Sequence, residues 1–514
     1  MSLQEMGSVG DLMIDAIERH GDRVAFEVEE TQITYTQLAR DVAQAVAFFD
    51  GLGLAEGDRI AQIAANRYEM FVVIAAAYVG GYVSLALQYN SDLADHLYAI
   101  DDCKPALLFV DDERMQRASE LLEGSSHKFR ALNYSDLRAS GDENKTLADY
   151  YGRTDPAKAA RMNQTGGTSG KPKVVMISSA ALTYTILAHC TANAFDGDTK
   201  ILVASPISHG GGSFIPPVLI KGGRVIIDSK FKPAEVIEAV TTGRVNTLFM
   251  VPTMMYALMD HPEAGRFKPG QLKRIIYGAA PSSPERLRQA MEMFGPVLLQ
   301  SYGQSEAPGT ILYLSPEDHQ HADGQKLASA GKPYPGVIVS LRLDGKEIPI
   351  RSGEVGEICV RAPHVMMGYW NAPELTDEVF EDGWLHTGDL ARVDGDGFFH
   401  IVSRLKDMII SGGFNVYASE VEQALEEHSA VKTSAVIGVP DPKWGEAVTA
   451  FVVKTEGANV GDEELIAFVR DKKGPVKTPK SVIFLEELPL TKVGKVDKKV
   501  LRSDFWGNSE REVN

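Results

Sequence analysis

The stretch 164–179 of this 514-residue chain, QTGGTSGKPKVVMISS, gathers three glycines, three hydroxyl side chains and two lysines into ten positions. Glycines let backbone N–H groups wrap an anion, the hydroxyls add donors, and the lysines add charge. Thr165, Gly166, Gly167, Thr168, Ser169, Gly170, Lys171 and Lys173 are therefore candidate phosphate ligands. The spacing is not that of a Walker A loop, since Pro172 rather than Ser or Thr follows Lys171. Further along, Glu306 in QSYGQSEAP is a natural carboxylate for Mg²⁺, which holds nucleotide phosphates through few protein ligands. Asp389 in WLHTGD and Arg404 in SRLKD offer an acceptor and a donor for sugar hydroxyls. Taken alone, Asp389 and Arg404 each read more readily as a surface charge. His209 in SPISHGGG reads first as structural. The lysines of PLTKVGKVDK read first as solvated charge.

The intervening sequence alternates strand and helix patterns. Tyr35 to Phe49 places Leu38, Val42, Ala45, Val46 and Phe49 at helical spacing, and Arg59–Ala64 reads as a strand. Further strands are expected at 106–110, 200–205, 224–228, 247–251 and 274–278, with helices at 233–241 and 284–293. This alternation predicts an α/β fold of doubly wound, mostly parallel sheets, with ligands at the carboxyl ends of strands. Each motif should then lie just after a strand. From about residue 335 to 404, short strands with Gly-rich turns predict a β-rich subdomain of the large domain, 1–404. A smaller α+β unit is expected over 405–514, with helices near 418–428 and 462–472 and strands near 432–439 and 447–454.

The net charge of −18 argues against nucleic acid and anionic membranes as partners. The uncharged run Met70–Leu87 is long enough to flag as a membrane span, but Gly80-Gly81 divides it into a buried helix and a buried strand. Stable membrane anchoring is not expected. Cys103, Cys190 and Cys359 form no CxxC pair, and a reducing cytoplasm is the simplest setting. A homodimer is the commonest assembly for such a chain.

TGGTSGKPK resembles the phosphate-binding signature of the acyl-adenylate-forming superfamily: acyl- and aryl-CoA synthetases, adenylation domains and luciferases. Val174 and Gln164 depart from the usual glycine and aromatic. The later motifs follow in the superfamily's order over about residues 30–500. The resemblance implies that adenine lies between Gly278-Ala279-Ala280-Pro281 and Gln300–Ser305, along Tyr302 and Gly303. Ser305 replaces the usual Thr. It implies that Asp389 and Arg404 hold the ribose, that Lys406 is the hinge of a mobile small domain, and that Lys495 is the catalytic lysine. Gly412 and Gly413 would line the pantetheine tunnel (Ala418 replaces a usual Pro nearby), and Trp444 would stack on the adenine of coenzyme A. His209, Gly211, Phe214 and Ala307 would border the acyl pocket. Gly210–Gly212 stand where relatives carry larger side chains, which predicts room for a bulky acid.

The implied reaction is AMP-forming ligation of a hydrophobic carboxylic acid (fatty, aryl or alicyclic) to coenzyme A, with ATP and Mg²⁺, as in fatty acid metabolism. Amino-acid adenylation for a carrier protein would call for an acidic partner near His209, and none stands between Ser205 and Ile215. A luciferase-like oxygenase shares the adenylation chemistry. A regulatory ATP-binding protein would have no use for a distant lysine.

Overall fold

The computed structural model describes residues 7–138, 145–164, 173–321, 324–343, 345–350, 352–491 and 496–506. Among these residues the strands form four sheets. The largest runs, edge to edge, through Lys332–Pro333, Ala307–Leu314, Leu298–Gln304, Arg274–Gly278, Thr247–Met250, Lys200–Val203, Arg224–Ile227, Val24–Val28 and Thr31–Thr34. Its centre is parallel, and antiparallel strands close both edges. The second runs through Gly368–Tyr369, Val174–Ser178, Ala159–Gln164, Val83–Ala86, Arg59–Ile63, Leu107–Val110 and Arg130–Asn133.

Between these sheets lies the helix Tyr68–Gly80, in which every residue but Glu69 is buried. A helix apolar on all sides has no solvent face to offer, and it belongs between two layers. Gly81 ends it at φ 76°, and Val83–Ala86 follows as a strand. Thirteen residues rise only about 20 Å, short of the ~30 Å hydrocarbon layer. Among the described residues no helix is long and apolar enough to cross a membrane. The helix Tyr35–Gly51 starts at Thr34, whose hydroxyl accepts from Gln37 N at 3.1 Å. Its five expected apolar positions are all buried.

The third sheet is antiparallel: Lys346–Ile348, Ile338–Leu343, Gly356–Arg361, Trp384–Val393 and Phe380–Glu381, with Phe399–Arg404 added against Trp384–Val393. The fourth begins at Ile409–Ser411 and carries its own core of Val421, Leu425, Val436, Val448 and Leu465. The short 3₁₀ turn Leu405–Asp407 links the two.

The 165–172 stretch lies, as expected, just after a strand, Ala159–Gln164, and leads into the apolar strand Val174–Ser178. One expectation needs correction: Asp389 sits inside the strand Trp384–Val393, not beyond its end. The third sheet is antiparallel, so the carboxyl-end rule for parallel strands does not govern it.

Candidate active site

Three sheets meet at the site. From the largest comes the hairpin Leu298–Gln304/Ala307–Leu314, whose register shifts at Gly303. A Cβ on Gly303 would fall 2.5 Å from Gly309 N, and one on Gly278 would fall 2.2 Å from Ser301 O. Both glycines are thus required by backbone contact, and the bulge turns Tyr302 toward the third sheet. There the Tyr302 hydroxyl donates to Asp389 Oδ2 at 2.6 Å. Arg404 stands opposite Asp389 in the ladder, with Nε 3.3 Å from Oδ1. Asp389 is only 5% exposed, so these polar partners offset its desolvation. The turn before it is braced from Gly356–Arg361: Gly388 N donates to Glu357 Oε1 at 2.8 Å, and Thr387 Oγ1 accepts from Asp389 N at 3.1 Å.

The second sheet contributes the other half. Gly368–Tyr369 pairs with Val174–Ser178, the strand that follows the phosphate loop. The Tyr369 hydroxyl donates to Glu306 Oε1 at 2.8 Å, and Met366 N donates to Glu306 O at 2.8 Å. Lys173 Nζ lies 4.8 Å from the centre of the Tyr369 ring. Burial, then the adjacent Glu306 carboxylate, push the Tyr369 phenol upward, so it stays a donor at neutral pH. Lys173, Tyr369 and Glu306 therefore form one connected cluster. Glu306 fits a divalent cation, since among the described residues only one of its carboxylate oxygens is engaged. Thr165, Gly166, Gly167, Thr168, Ser169, Gly170 and Lys171 lie outside the described residues, as does Lys495. Among the described residues, Leu490 and Val496 form a bridge and Asp497 N donates to Pro489 O at 2.8 Å.

Gly278 closes its strand, and Ala279 follows at φ 68°, a left-handed conformation that costs a non-glycine residue about 1–2 kcal/mol. Strain of this kind held at a strand end is typical of a ligand contact. Where the acyl pocket is expected, His209 Nε2 is 3.2 Å from Gln88 Nε2 and its Nδ1 is 2.9 Å from Ser208 Oγ, so both ring nitrogens have partners. Asn66 fixes the preceding backbone, accepting from Ile207 N at 2.8 Å and donating to Ser205 O at 2.9 Å. Phe214 packs on Phe249 with centroids 4.8 Å apart, and Ala307 is fully buried.

The expectation that Gly210–Gly212 leave room for a bulky acid is overturned. A Cβ on Gly211 would fall 2.6 Å from both Ser205 O and Ser205 Oγ; on Gly212, 2.1 Å from Ile207 O; on Gly210, 2.8 Å from Phe249. The turn folds back on its own strand end, and the missing side chains make space for backbone, not substrate.

In the last unit, Gly412 N donates to Trp444 O at 2.7 Å, and a Cβ on Gly412 would fall 2.9 Å from Trp444 Cε3. Lys443 and Lys480 place their ammonium groups 4.8 Å and 4.9 Å from the Trp444 ring. Gly413 adopts φ 81° with open space about it. Burial and the neighbouring Arg404 lower the Lys406 ammonium. Asp407 accepts from Arg502 at 2.8 Å, which ties the link to the helix Lys498–Trp506.

Sequence reasoning missed Tyr369, Gln88, Asn66 and Glu357. Tyr369, Gln88 and Asn66 stand in no glycine-rich or charged cluster, Glu357 lies among turn glycines and acids that read as surface, and only the pairing of distant strands brings them to the site.

This geometry defines a nucleotide-binding α/β protein. Residues 14–370 match the model of the AMP-binding enzyme family, and residues 420–495 match the AMP-binding enzyme C-terminal domain. The chain is 39% identical to the medium/long-chain-fatty-acid–CoA ligase FadD8 of Mycobacterium tuberculosis, over 98% of this chain and 91% of that one. It is 36% identical to a feruloyl-CoA synthase of an Amycolatopsis species, over 92% and 94%. Its fold matches the amide bond synthetase McbA of Marinactinospora thermotolerans with a TM-score of 0.88 at 34% identity, covering 97% and 100%. The protein belongs to the AMP-binding enzyme family, within the acyl-adenylate-forming superfamily that its motifs resemble.

Proposed function

We propose that the protein is an AMP-forming acyl-CoA ligase for a hydrophobic carboxylic acid, fatty, aryl or alicyclic. The observation that carries this reading is the convergence of Tyr302–Asp389–Arg404 and Lys173–Tyr369–Glu306 where three sheets meet. The first set suits a ribose and the second suits phosphates. Relatives whose names give fatty acids and ferulate as the acids support the substrate class.

In the first half-reaction a carboxylate oxygen attacks the α-phosphorus of ATP, the α–β anhydride breaks, and pyrophosphate leaves. The carboxylate is ionised at neutral pH and needs no general base. It needs alignment and neutralisation of developing charge. Lys173 and the 165–171 loop hold the phosphates, and Lys495 meets the substrate carboxylate and the α-phosphate. Glu306, oriented by Tyr369, would hold Mg²⁺. When bound, the ion neutralises phosphate charge. In the second half-reaction the thiol sulfur of coenzyme A attacks the acyl carbon, the bond to AMP breaks, and the thiol proton passes to solvent. The 405–514 unit turns about Lys406 between the halves, which withdraws Lys495 and brings in Gly412 and Gly413, with Trp444 against the coenzyme.

The test is AMP formation from ATP over a panel running from acetate through medium and long fatty acids to benzoate, cinnamate and ring acids, with and without coenzyme A. Turnover that depends on both an acid of one class and coenzyme A supports the reading. Turnover indifferent to coenzyme A, or sustained by an amine or a carrier protein in its place, refutes coenzyme A as the acceptor.

A further inference from the structure

The helix Ser179–Asn193 follows directly on the strand Val174–Ser178. Its His189 is 1% exposed, and neither ring nitrogen has a hydrogen-bond partner among the described residues. Asn193, one turn on, donates to His189 O at 3.0 Å and leaves its own side-chain oxygen unpartnered. A buried polar atom left unsatisfied is costly, so interiors seldom keep several together without use.

The surroundings say what the use is. The His189 ring is 4.7 Å from the Phe214 ring and 6.2 Å from the Tyr334 ring. A Cβ on Gly309 would lie 3.2 Å from His189 Nε2, so that nitrogen faces a strand bared by glycine, two residues beyond Ala307. Phe214 and Ala307 are the apolar groups assigned to the acyl pocket, and His189 is the polar point at their back. A second imidazole, His364, is fully buried with neither nitrogen partnered among the described residues, and it stacks on Tyr184 of the same helix at 5.1 Å. Burial pushes His189 down to about 3, and burial with the nearby His189 does the same to His364. Both rings are therefore neutral at physiological pH. A neutral imidazole presents one donor and one acceptor. A hydroxyl can answer both, an alkyl chain neither, and a second carboxylate would need the imidazolium that burial disfavours.

We propose that His189 is a specificity-determining residue of the acyl pocket, hydrogen-bonding an uncharged alcohol or phenol hydroxyl that the acid carries at the end remote from its carboxylate. This rests on the ligase reading above, which itself leaves the acid open.

The test compares matched acids, 4-hydroxycinnamate against cinnamate and 10-hydroxydecanoate against decanoate, in the wild type, His189→Phe and His189→Gln. The readout is the ratio of kcat/KM for AMP formation within each pair. The wild type should favour the hydroxylated acid of at least one pair by about tenfold or more, the size expected when a buried polar group is left unpaired by the analogue. His189→Phe should bring that ratio near one, mainly through a rise in KM for the hydroxylated acid. His189→Gln should keep part of the preference. A wild-type ratio near one in both pairs overturns the proposal, as does a preference that His189→Phe retains. If His189→Phe does not fold, as its melting curve would tell, His189→Gln decides: an unchanged ratio counts against the proposal. If no acid supports AMP formation, the ligase reading fails by itself. The same ratios are then read from calorimetric Kd values of the acids, where equal discrimination in wild type and variant overturns the assignment of His189.

Discussion

Replacing Asp389 with asparagine keeps the shape of the side chain and removes its charge. The carboxylate is 5% exposed and takes the Tyr302 hydroxyl at 2.6 Å with Arg404 Nε at 3.3 Å. The amide oxygen of the Asp389→Asn variant can still accept from Tyr302, so the fold should lose only about 1 kcal/mol. The ribose fares differently. A hydrogen bond to a charged acceptor contributes about 1.5–3 kcal/mol, and an amide in its place gives back roughly half. If Asp389 takes two ribose hydroxyls, as proposed, the loss is about 1.5–3 kcal/mol, or about tenfold to 10²-fold in apparent ATP affinity. The assay is pyrophosphate release against ATP concentration at saturating acid, with a melting curve as the control for folding. The KM for ATP should rise by that factor and the KM for the acid should stay put. A folded Asp389→Asn enzyme with its ATP KM within about twofold of wild type would refute the ribose assignment.

Other outcomes follow from the same contacts. Tyr369→Phe removes the donor to Glu306 and should lower the adenylation rate by about tenfold and raise the Mg²⁺ concentration for half-maximal rate; full activity at low Mg²⁺ would count against Tyr369 as the orienting group. Gly211→Ala should cost about 1–3 kcal/mol of stability, read as a lower Tm, because its Cβ meets Ser205 O at 2.6 Å; an unchanged Tm with loss of only the larger acids would restore the reading of Gly211 as pocket wall. Asp407 makes stability pH-dependent. Burial raises its carboxyl, but the Lys498 and Arg502 charges together outweigh burial and leave it below the usual carboxylate range. A depressed folded-state pKa gives stability that is present above the unfolded value near 4 and is lost as pH falls through the folded value. Asp407→Asn should therefore flatten the acid limb of Tm against pH, and an identical limb in both proteins would contradict the pairing.

Much of the architecture is legible in the sequence because buried parallel strands and all-apolar helices leave strong runs. Pro233–Thr241 and the split of Met70–Leu87 at Gly80-Gly81 follow from local pattern alone. Asp389 and Arg404 are visible as charges near a ladder, but their facing register depends on a bulge between Leu390 and Ala391 that no local signal announces. Tyr369 is invisible for a similar reason: a two-residue strand pairs with Val174–Ser178 across nearly two hundred positions. The glycines of 210–212 mislead because the same residue serves an open pocket or a close backbone approach, and only the Ser205 and Ile207 carbonyls decide between them. His189 looks like an ordinary helix residue until its ring is found packed on Phe214 with no hydrogen-bond partner among the described residues.

The central claim is passage through an acyl-adenylate, and rapid-quench single turnover tests it most directly. Enzyme, ATP and an active acid are mixed without coenzyme A, and the thiol is added after a delay. The account predicts one equivalent of acyl-AMP per site with release of pyrophosphate, then its conversion to thioester and AMP on addition of the thiol. With Lys495→Ala the first phase should slow by about 10²–10³, while synthetic acyl-AMP is still converted at the wild-type rate. ADP and phosphate as products, thioester formed with no adenylate before it, or equal loss of both phases in Lys495→Ala would contradict the account.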